Sequence, residues 1–281
     1  MKTAIVTGAS SGMGKVTAKA LAEKGYEVIL VCRSKEKGEL TLKELQSLYP
    51  QASLHLFLCD LSSVKAVKNL AEEITGSFTK IDVLINNAGA YIAKRYTSVD
   101  GYELTLATNH LAYFQLTNLL LPLLKNTPEA RIVNVASEAS KLGKLNWDDL
   151  NLEKKYSGIL AYSNSKLYNI MFTNQLAEEL KGTHITVNAM HPGGVNTNFG
   201  NGVDGLLGIA FRQFGWLMRT PEKGAETIIW LATSPEAAQY SGLYFKDKKP
   251  IRSIEAAYNR VNLQQLRDVT QELIERALKK V

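Results

Sequence analysis

The feature that most narrows the fold is a rhythm of short, almost unbroken apolar runs with longer helical patterns between them. TAIVT (3–7) precedes a helix near 12–24, YEVILVC (26–32) one near 36–48, and SLHLFLC (53–59) one near 63–75. IDVLIN (81–86), ARIVNVA (130–136) and HITVNAM (184–190) bring the strand candidates to six, and GLYF (242–245) offers a seventh. A strand with one wet face alternates polar and apolar residues; these runs do not, so both faces are covered. Strands that alternate with helices are joined by crossovers and lie parallel. The expected fold is α/β, a doubly wound parallel sheet of about seven strands with helices on both faces. No repeat, low-complexity tract or linker interrupts the 281 residues, so 1–281 reads as one domain. Two stretches depart from the rhythm. Residues 193–219 are glycine-rich and then apolar and aromatic, and 253–281 reads as a helical tail with Ser253 as its N-cap.

Several function classes are disfavoured early. The net charge of +6 is spread among alternating lysines and acids, with KDKK (246–249) the only basic run. That suits a small anionic ligand better than nucleic acid. Cys32 and Cys59 each end an apolar run and read as buried, reduced thiols, which fits a reducing compartment. No histidine or cysteine cluster has metal-ligand spacing, so no metal is expected. The first strand starts at once, with no basic leader before it, and apolar windows such as LTNLLLPLLK (116–125) are too short for a bilayer. The expectation is a cytoplasmic protein without an integral membrane segment.

The first strand runs into TGASSGMG (7–14) and then a helix. Gly8, Gly12 and Gly14 fall where the turn must be tight, and missing side chains let backbone N–H groups approach a diphosphate at the helix N-terminus. Ser10, Ser11 and Met13 complete this candidate cradle. The spacing is neither G-x-G-x-x-G nor a P-loop, and a ligand-free glycine turn is the competing reading. About 20 residues on, an acid would bind the ribose 2′-hydroxyl of NAD. Arg33 follows Cys32 there instead, and a guanidinium can grip a 2′-phosphate through two hydrogen bonds. The sequence therefore leans to NADP, the alternative being a merely solvated Arg33. Asp60 and Leu61 follow the third strand, where the carboxylate could meet an adenine amino group or cap the next helix. Asn87, Ala88 and Gly89 follow the fourth, leaving room for an adenosine.

In AYSNSK (161–166) Tyr162 and Lys166 stand four apart, on one helix face. An ammonium beside a phenol lowers its pKa from about 10 and readies it for proton transfer. Ser137 ends the fifth strand in IVNVASEAS, where its hydroxyl could bind a substrate carbonyl; Ser140, beyond the strand, is the rival. Asn109 sits in a mainly apolar helix, LATNHLAYF. Its amide could hold a water that links Lys166 to solvent, bond a neighbouring carbonyl, or do both. Nucleophilic hydrolysis fits poorly, because Ser137 lacks a G-x-S-x-G elbow and no histidine stands out as its base.

Taken together, these motifs resemble the short-chain dehydrogenase/reductase family, a Rossmann-type fold. TGASSGMG, CDL, NNAG, the Asn109 helix, Ser137, YSNSK and HPGGVNT occur in family order over residues 3 to about 197. VCRSKEKGE, TNHLAYFQLT and the long gap from Ser137 to Tyr162 are most similar to its retinol dehydrogenase-like branch. The resemblance implies an NADP(H)-dependent oxidoreductase that interconverts an aldehyde or ketone and an alcohol, such as a carbonyl reductase. It implies that Tyr162 is the general acid/base, that Lys166 lowers its pKa and binds the nicotinamide ribose, that Ser137 orients the carbonyl and that Asn109 supports a proton relay. It further implies that Pro192, Gly193 and Val195 border the nicotinamide with Thr197 nearby, and that the chain forms a homodimer or homotetramer. The apolar residues Leu206 to Leu217 suggest a lid over a hydrophobic substrate, or a surface that meets a partner or membrane. Two competitors stay open: a cofactor-binding regulatory protein without catalysis, and a sugar-nucleotide epimerase or dehydratase.

Overall fold

The computed structural model describes residues 1–194 and 219–279. The seven expected strands are all present: β1 (Thr3–Thr7), β2 (Glu27–Cys32), β3 (Leu54–Leu58), β4 (Val83–Asn86), β5 (Ala130–Val135), β6 (Ile185–His191) and β7 (Tyr244–Lys246). An eighth, β8 (Lys249–Ile251), was not expected. It folds back antiparallel on β7 through Asp247 and Lys248, whose φ angles of 51° and 62° make the two-residue turn that closes tight hairpins. A three-residue edge strand is too short to leave a periodic signal. The other strands run parallel, and the order across the sheet is β3-β2-β1-β4-β5-β6-β7-β8.

Among the described residues, the longer helices are α1 (Gly12–Glu23), α2 (Lys35–Leu48), α3 (Val64–Ser77), α5 (Ala112–Lys125), α6 (Gly158–Glu179), α7 (Pro221–Thr233) and α8 (Arg260–Lys279); α4 (Leu104–Leu106) is a short lead-in to α5. Serine hydroxyls start three of them: Ser34 accepts from Lys37 N–H, Ser63 from Ala66 N–H and Ser157 from Leu160 N–H.

The near-continuous apolar strands have a direct structural consequence. Along β1, Ile5 joins one core while Ala4 and Val6 join the other. The first core takes in Ile29, Leu84, Ile132 and Val187 with α3, α5, α6 and α8. The second takes in Leu30, Ile85, Val133 and Met190 with α1 and α7. Both faces of the central strands are thus covered. β3, at the open edge, is only half-buried.

The reading of the tail needs correction. Ser253 caps no long helix: its N–H donates to the Tyr258 hydroxyl at 2.9 Å and its hydroxyl meets Ser140 Oγ at 2.9 Å. A 3₁₀ turn (Glu255–Tyr258) follows, and Asn259 Oδ1 then accepts from Val261 and Asn262 N–H at the start of α8. Among the described residues no helix is long and apolar enough to cross a membrane.

Candidate active site

β1 and β4 lie side by side, yet β1 leads by its crossover to β2 on one side and β4 to β5 on the other. The gap left where the winding changes direction, at the carboxyl ends of the strands, is where open α/β sheets bind ligands.

The glycine turn fills one side of that gap. Gly8 and Gly12 adopt φ of 68° and 52°, which side chains rarely tolerate. Gly14 is required by contact rather than by torsion: a Cβ there would lie 2.2 Å from Gly8 O and 2.5 Å from Asn87 Nδ2. Gly8 and Ala9 N–H both donate to Val31 O, at 2.9 and 3.3 Å, tying the turn to the end of β2. The exposed Arg33 therefore stands beside the turn, and Ser10 hydrogen-bonds the buried Cys32 thiol. Ser11 precedes α1 without capping it by its side chain, and Met13 packs against the second core.

Thr7 was not singled out in the sequence, yet it orders the opposite wall. Its hydroxyl accepts from Asn87 and Ala88 N–H at 2.9 and 3.0 Å, and its carbonyl accepts from Asn87 Nδ2 at 2.8 Å. A threonine at a strand end is common, which is why this hub leaves no sequence signal. Asp60 is exposed and turned locally, accepting from Ser62 N–H at 3.0 Å and Ser62 Oγ at 2.8 Å. It is not the N-cap of α3, a role Ser63 takes; Leu61 beside it is buried.

On the far side of the gap, Tyr162 and Lys166 lie on α6 behind the end of β5. Lys166 is buried, and its ammonium donates to Val135 O at 2.9 Å. Its Nζ lies 5.6 Å from the centre of the Tyr162 ring and 5.7 Å from that of Tyr113. Ser137, two residues beyond the end of β5, hydrogen-bonds the Tyr162 hydroxyl. The rival Ser140 is fully buried and engaged with Ser253.

Asn109 lies in a π-helical turn (Ala107–Leu111) that joins α4 to α5. Such wider turns recur at functional sites. Here the turn lets one amide grip three groups. Oδ1 accepts from Ala90 N–H at 2.9 Å, while Nδ2 donates to Ala90 O at 2.9 Å and to Ser165 Oγ at 3.0 Å. Ser165 in turn donates to Tyr162 O at 2.8 Å. Asn109 thus bonds a neighbouring carbonyl, and Ser165 links it to the Tyr162 backbone. A methyl on Gly89 would lie 3.3 Å from Lys166 Nζ and 3.4 Å from Asn109 Oδ1, so both polar atoms border one small space. His110, next in sequence, is fully buried; it meets Thr270 Oγ1 at 3.0 Å and Asn169 Oδ1 at 3.4 Å, a packing role.

The electrostatics depart from expectation. Tyr162 is partly buried as a residue, and desolvation pushes its phenol up to about 12, against the opposing hydrogen bond with Ser137. Desolvation also pulls Lys166 down to about 7. Burial sets both shifts, since it penalises the charged form of each group.

Pro192 and Gly193 follow β6, and Gly193 takes φ of 83°. Val195, Thr197 and the apolar residues Leu206 to Leu217 lie outside the described residues. The described residues hold no cluster of metal-ligating side chains. A cleft at the amino end of the sheet, lined by Thr3, Glu27, His55, Phe57 and Phe78, contains none of these groups. Its carboxylate is satisfied by Thr3, Ser53 and His55.

The profile of the family described as short chain dehydrogenase matches residues 2–204. Human Retinol dehydrogenase 14 is 38% identical over 97% of this chain and 86% of its own length. Human Retinol dehydrogenase 13 is 39% identical over 89% of this chain and 78% of its own. A crystal structure of a Mycobacterium paratuberculosis protein superposes with a TM-score of 0.79 at 30% identity, covering 98% of this chain and 94% of that one. A short chain dehydrogenase from Burkholderia cenocepacia, in complex with NADP, gives a TM-score of 0.69 at 26% identity, covering 87% and 95%.

Proposed function

The chain belongs to the short-chain dehydrogenase family, in its retinol dehydrogenase-like branch, and is an oxidoreductase of CH–OH and C=O groups; from that premise we propose that it is an NADP(H)-dependent enzyme acting on a hydrophobic aldehyde, ketone or alcohol. The observation that carries this reading is the convergence of Ser137, Tyr162 and Lys166 at the end of β5, across the sheet edge from a glycine cradle.

The residues present fit a dinucleotide. Two glycines take backbone angles that side chains rarely adopt, and a third, Gly14, packs so closely that a methyl group would collide with Gly8 O and Asn87 Nδ2, which keeps the turn tight and its backbone open to a ligand. Gly8, Ser10, Ser11, Gly12, Met13 and Gly14 would hold the diphosphate, Arg33 the 2′-phosphate, and Asn87, Ala88 and Gly89 the adenosine side. When bound, NADPH supplies a hydride to the carbonyl carbon and NADP⁺ accepts one from the alcohol.

The chain's own residues handle the proton. For reduction, Ser137 donates a hydrogen bond to the substrate oxygen and aligns it with the phenol. Tyr162 then gives its proton to that oxygen as negative charge develops there; in oxidation it takes the proton back. A phenol pushed up by burial is protonated at neutral pH, the form that reduction needs. Lys166 places its positive charge, when protonated, where a phenolate would form. Asn109 and Lys166 flank the small space beside Gly89, which suits a water able to return the proton. The hydrophobic character of the substrate rests on the apolar segment 206–217, read as a lid within a single domain of residues 1–281.

The test is NADPH oxidation with a panel of aliphatic and aromatic aldehydes and ketones. Tyr162→Phe removes the proton and is expected to lower kcat by at least about 100-fold, the usual worth of general acid/base catalysis, while NADPH still binds. Full turnover by that variant would remove the assignment. The intact Ser-Tyr-Lys set argues against the regulatory alternative.

A further inference from the structure

A charged network lies directly behind Ser137 and is not part of the proton-transfer set. Glu138, the next residue, is held at both its backbone and its side chain. Its N–H donates to His191 Nδ1 at 3.2 Å. Its carboxylate takes His191 Nε2 at 3.1 Å, Lys246 Nζ at 2.7 Å and Lys141 Nζ at 3.3 Å. These partners come from three places: the end of β6, the end of β7, and the 3₁₀ turn (Glu138–Leu142) that Ser137 itself caps.

The hydrogen bonds fix the chemistry of the imidazole. Because Nδ1 accepts from a backbone N–H, the ring proton must sit on Nε2, where it can be donated to the carboxylate. Burial, outweighing the attraction of Glu138, lowers His191 to about 4, so the ring is neutral at physiological pH. Lys246 is then the principal cation on Glu138, and its hydrogen bond is the main reason that the carboxyl sits at about 2.

Position gives the network its consequence. His191 is the last residue of β6 and is followed by Pro192 and Gly193, the turn read as bordering the nicotinamide. Glu138 follows Ser137, the residue read as orienting the carbonyl. One imidazole therefore ties the serine's peptide to the turn that borders the cofactor, and Lys246 anchors the pair to the next strand. Misplacing a reacting group by about 1 Å can cost about 100-fold in rate, so a brace between these two segments bears on turnover rather than on binding alone.

We propose that His191, Glu138 and Lys246 are positioning residues that set Ser137 against the Pro192–Gly193 turn. This rests on the reading of Ser137 as the carbonyl-orienting group. None of the three touches the reacting atoms. They act as one unit: loosening either end of the carboxylate frees the same peptide, so a second change has little left to disrupt.

The experiment compares Glu138→Gln, Lys246→Met, the double variant, Lys246→Arg and Ser137→Ala in the full chain. It measures kcat and KM for one carbonyl substrate, NADPH Kd by fluorescence titration, and Tm. Glu138→Gln and Lys246→Met are each expected to lower kcat about tenfold with NADPH Kd within about twofold. The double variant is expected to be no more than about twofold slower than the worse single, the non-additivity of groups that work as a unit. Lys246→Arg, which keeps the charge, is expected to restore most of kcat. Three outcomes overturn the proposal while Ser137→Ala remains impaired: unchanged kcat in both singles, multiplicative losses in the double, or kcat losses that track losses of Tm and NADPH affinity. Full activity in Ser137→Ala overturns the underlying reading of the serine, and the proposal with it.

Discussion

Substituting Gly14 by alanine tests the cradle with the least chemical change. The new methyl would sit 2.2 Å from Gly8 O and 2.5 Å from Asn87 Nδ2, whereas ordinary contact begins at 3.4 Å. Neither neighbour can swing aside. One is backbone, and the other is held by its 2.8 Å bond to Thr7 O. About 1 Å of separation must therefore open between α1 and the glycine turn, and overpacking of this kind costs about 1–3 kcal/mol. For a domain this size that is a fall in Tm of about 2–12 °C, followed by differential scanning fluorimetry. On the proposed reading, the shift would also move the turn that holds the diphosphate. Losing one charge-assisted hydrogen bond, worth about 1.5–3 kcal/mol, weakens NADPH binding by about 10- to 100-fold, measurable by titration calorimetry. Gly76→Ala is the control. It lies on the exposed side of α3 with nothing within 4 Å of its added carbon. It is expected to leave NADPH affinity unchanged and to raise stability by about 0.5–1 kcal/mol, since alanine suits a helix better than glycine. A Gly14→Ala protein with wild-type Tm and wild-type NADPH affinity would refute the close-approach argument.

Other outcomes rest on the same geometry. Arg33→Asp replaces the exposed cation beside the glycine turn with a carboxylate and is expected to raise the NAD/NADP ratio of kcat/KM by at least about tenfold; an unchanged ratio counts against the 2′-phosphate role. Asn109→Leu strands the Ala90 N–H and C=O and removes the donor to Ser165 Oγ. Each unmet group costs up to about 1–3 kcal/mol where it is kept from water, so Tm and kcat are both expected to fall, in contrast to Tyr162→Phe, which is expected to spare Tm. Burial lowers both His110 and His191 to about 4 from 6.5, so the unfolded chain binds more protons than the folded one between those values. Stability is then full above about pH 6.5 and falls as pH drops toward 4, which urea midpoints at several pH values would register. His110→Gln is expected to flatten that slope, and an unchanged slope would contradict the assignment.

How much of this could be read in the sequence depends on the range of the interaction. The strands were legible because two-sided burial writes itself into every residue of a run, as in EVILVC. The cradle was legible because Gly8 and Gly12 answer a local torsional demand. β8 was not, since three residues beside a tight turn carry no periodicity. Ser253 misleads for a similar reason: a hydroxyl ahead of an acidic residue looks like a cap, but its partners, Ser140 and Tyr258, are set by tertiary packing. Thr7 and Ser165 are common residues in ordinary places, and only the fold makes them hubs.

The Tyr162–Lys166 pair shows where local reasoning meets its limit. Spacing put both groups on one face of α6, and the fold keeps them there. From spacing alone the ammonium should acidify the phenol. What spacing cannot report is how much water each group loses. Lys166 is enclosed between the faces of Tyr113 and Tyr162, with Val135 O as its acceptor. Desolvation penalises the charged form of each group, so lysine and phenol move in opposite directions, to about 7 and about 12. The pair is therefore held near the point where the lysine's charge can change. Spacing set the two groups four residues apart on one helix face, and burial, which spacing does not report, decides which form of each is favoured.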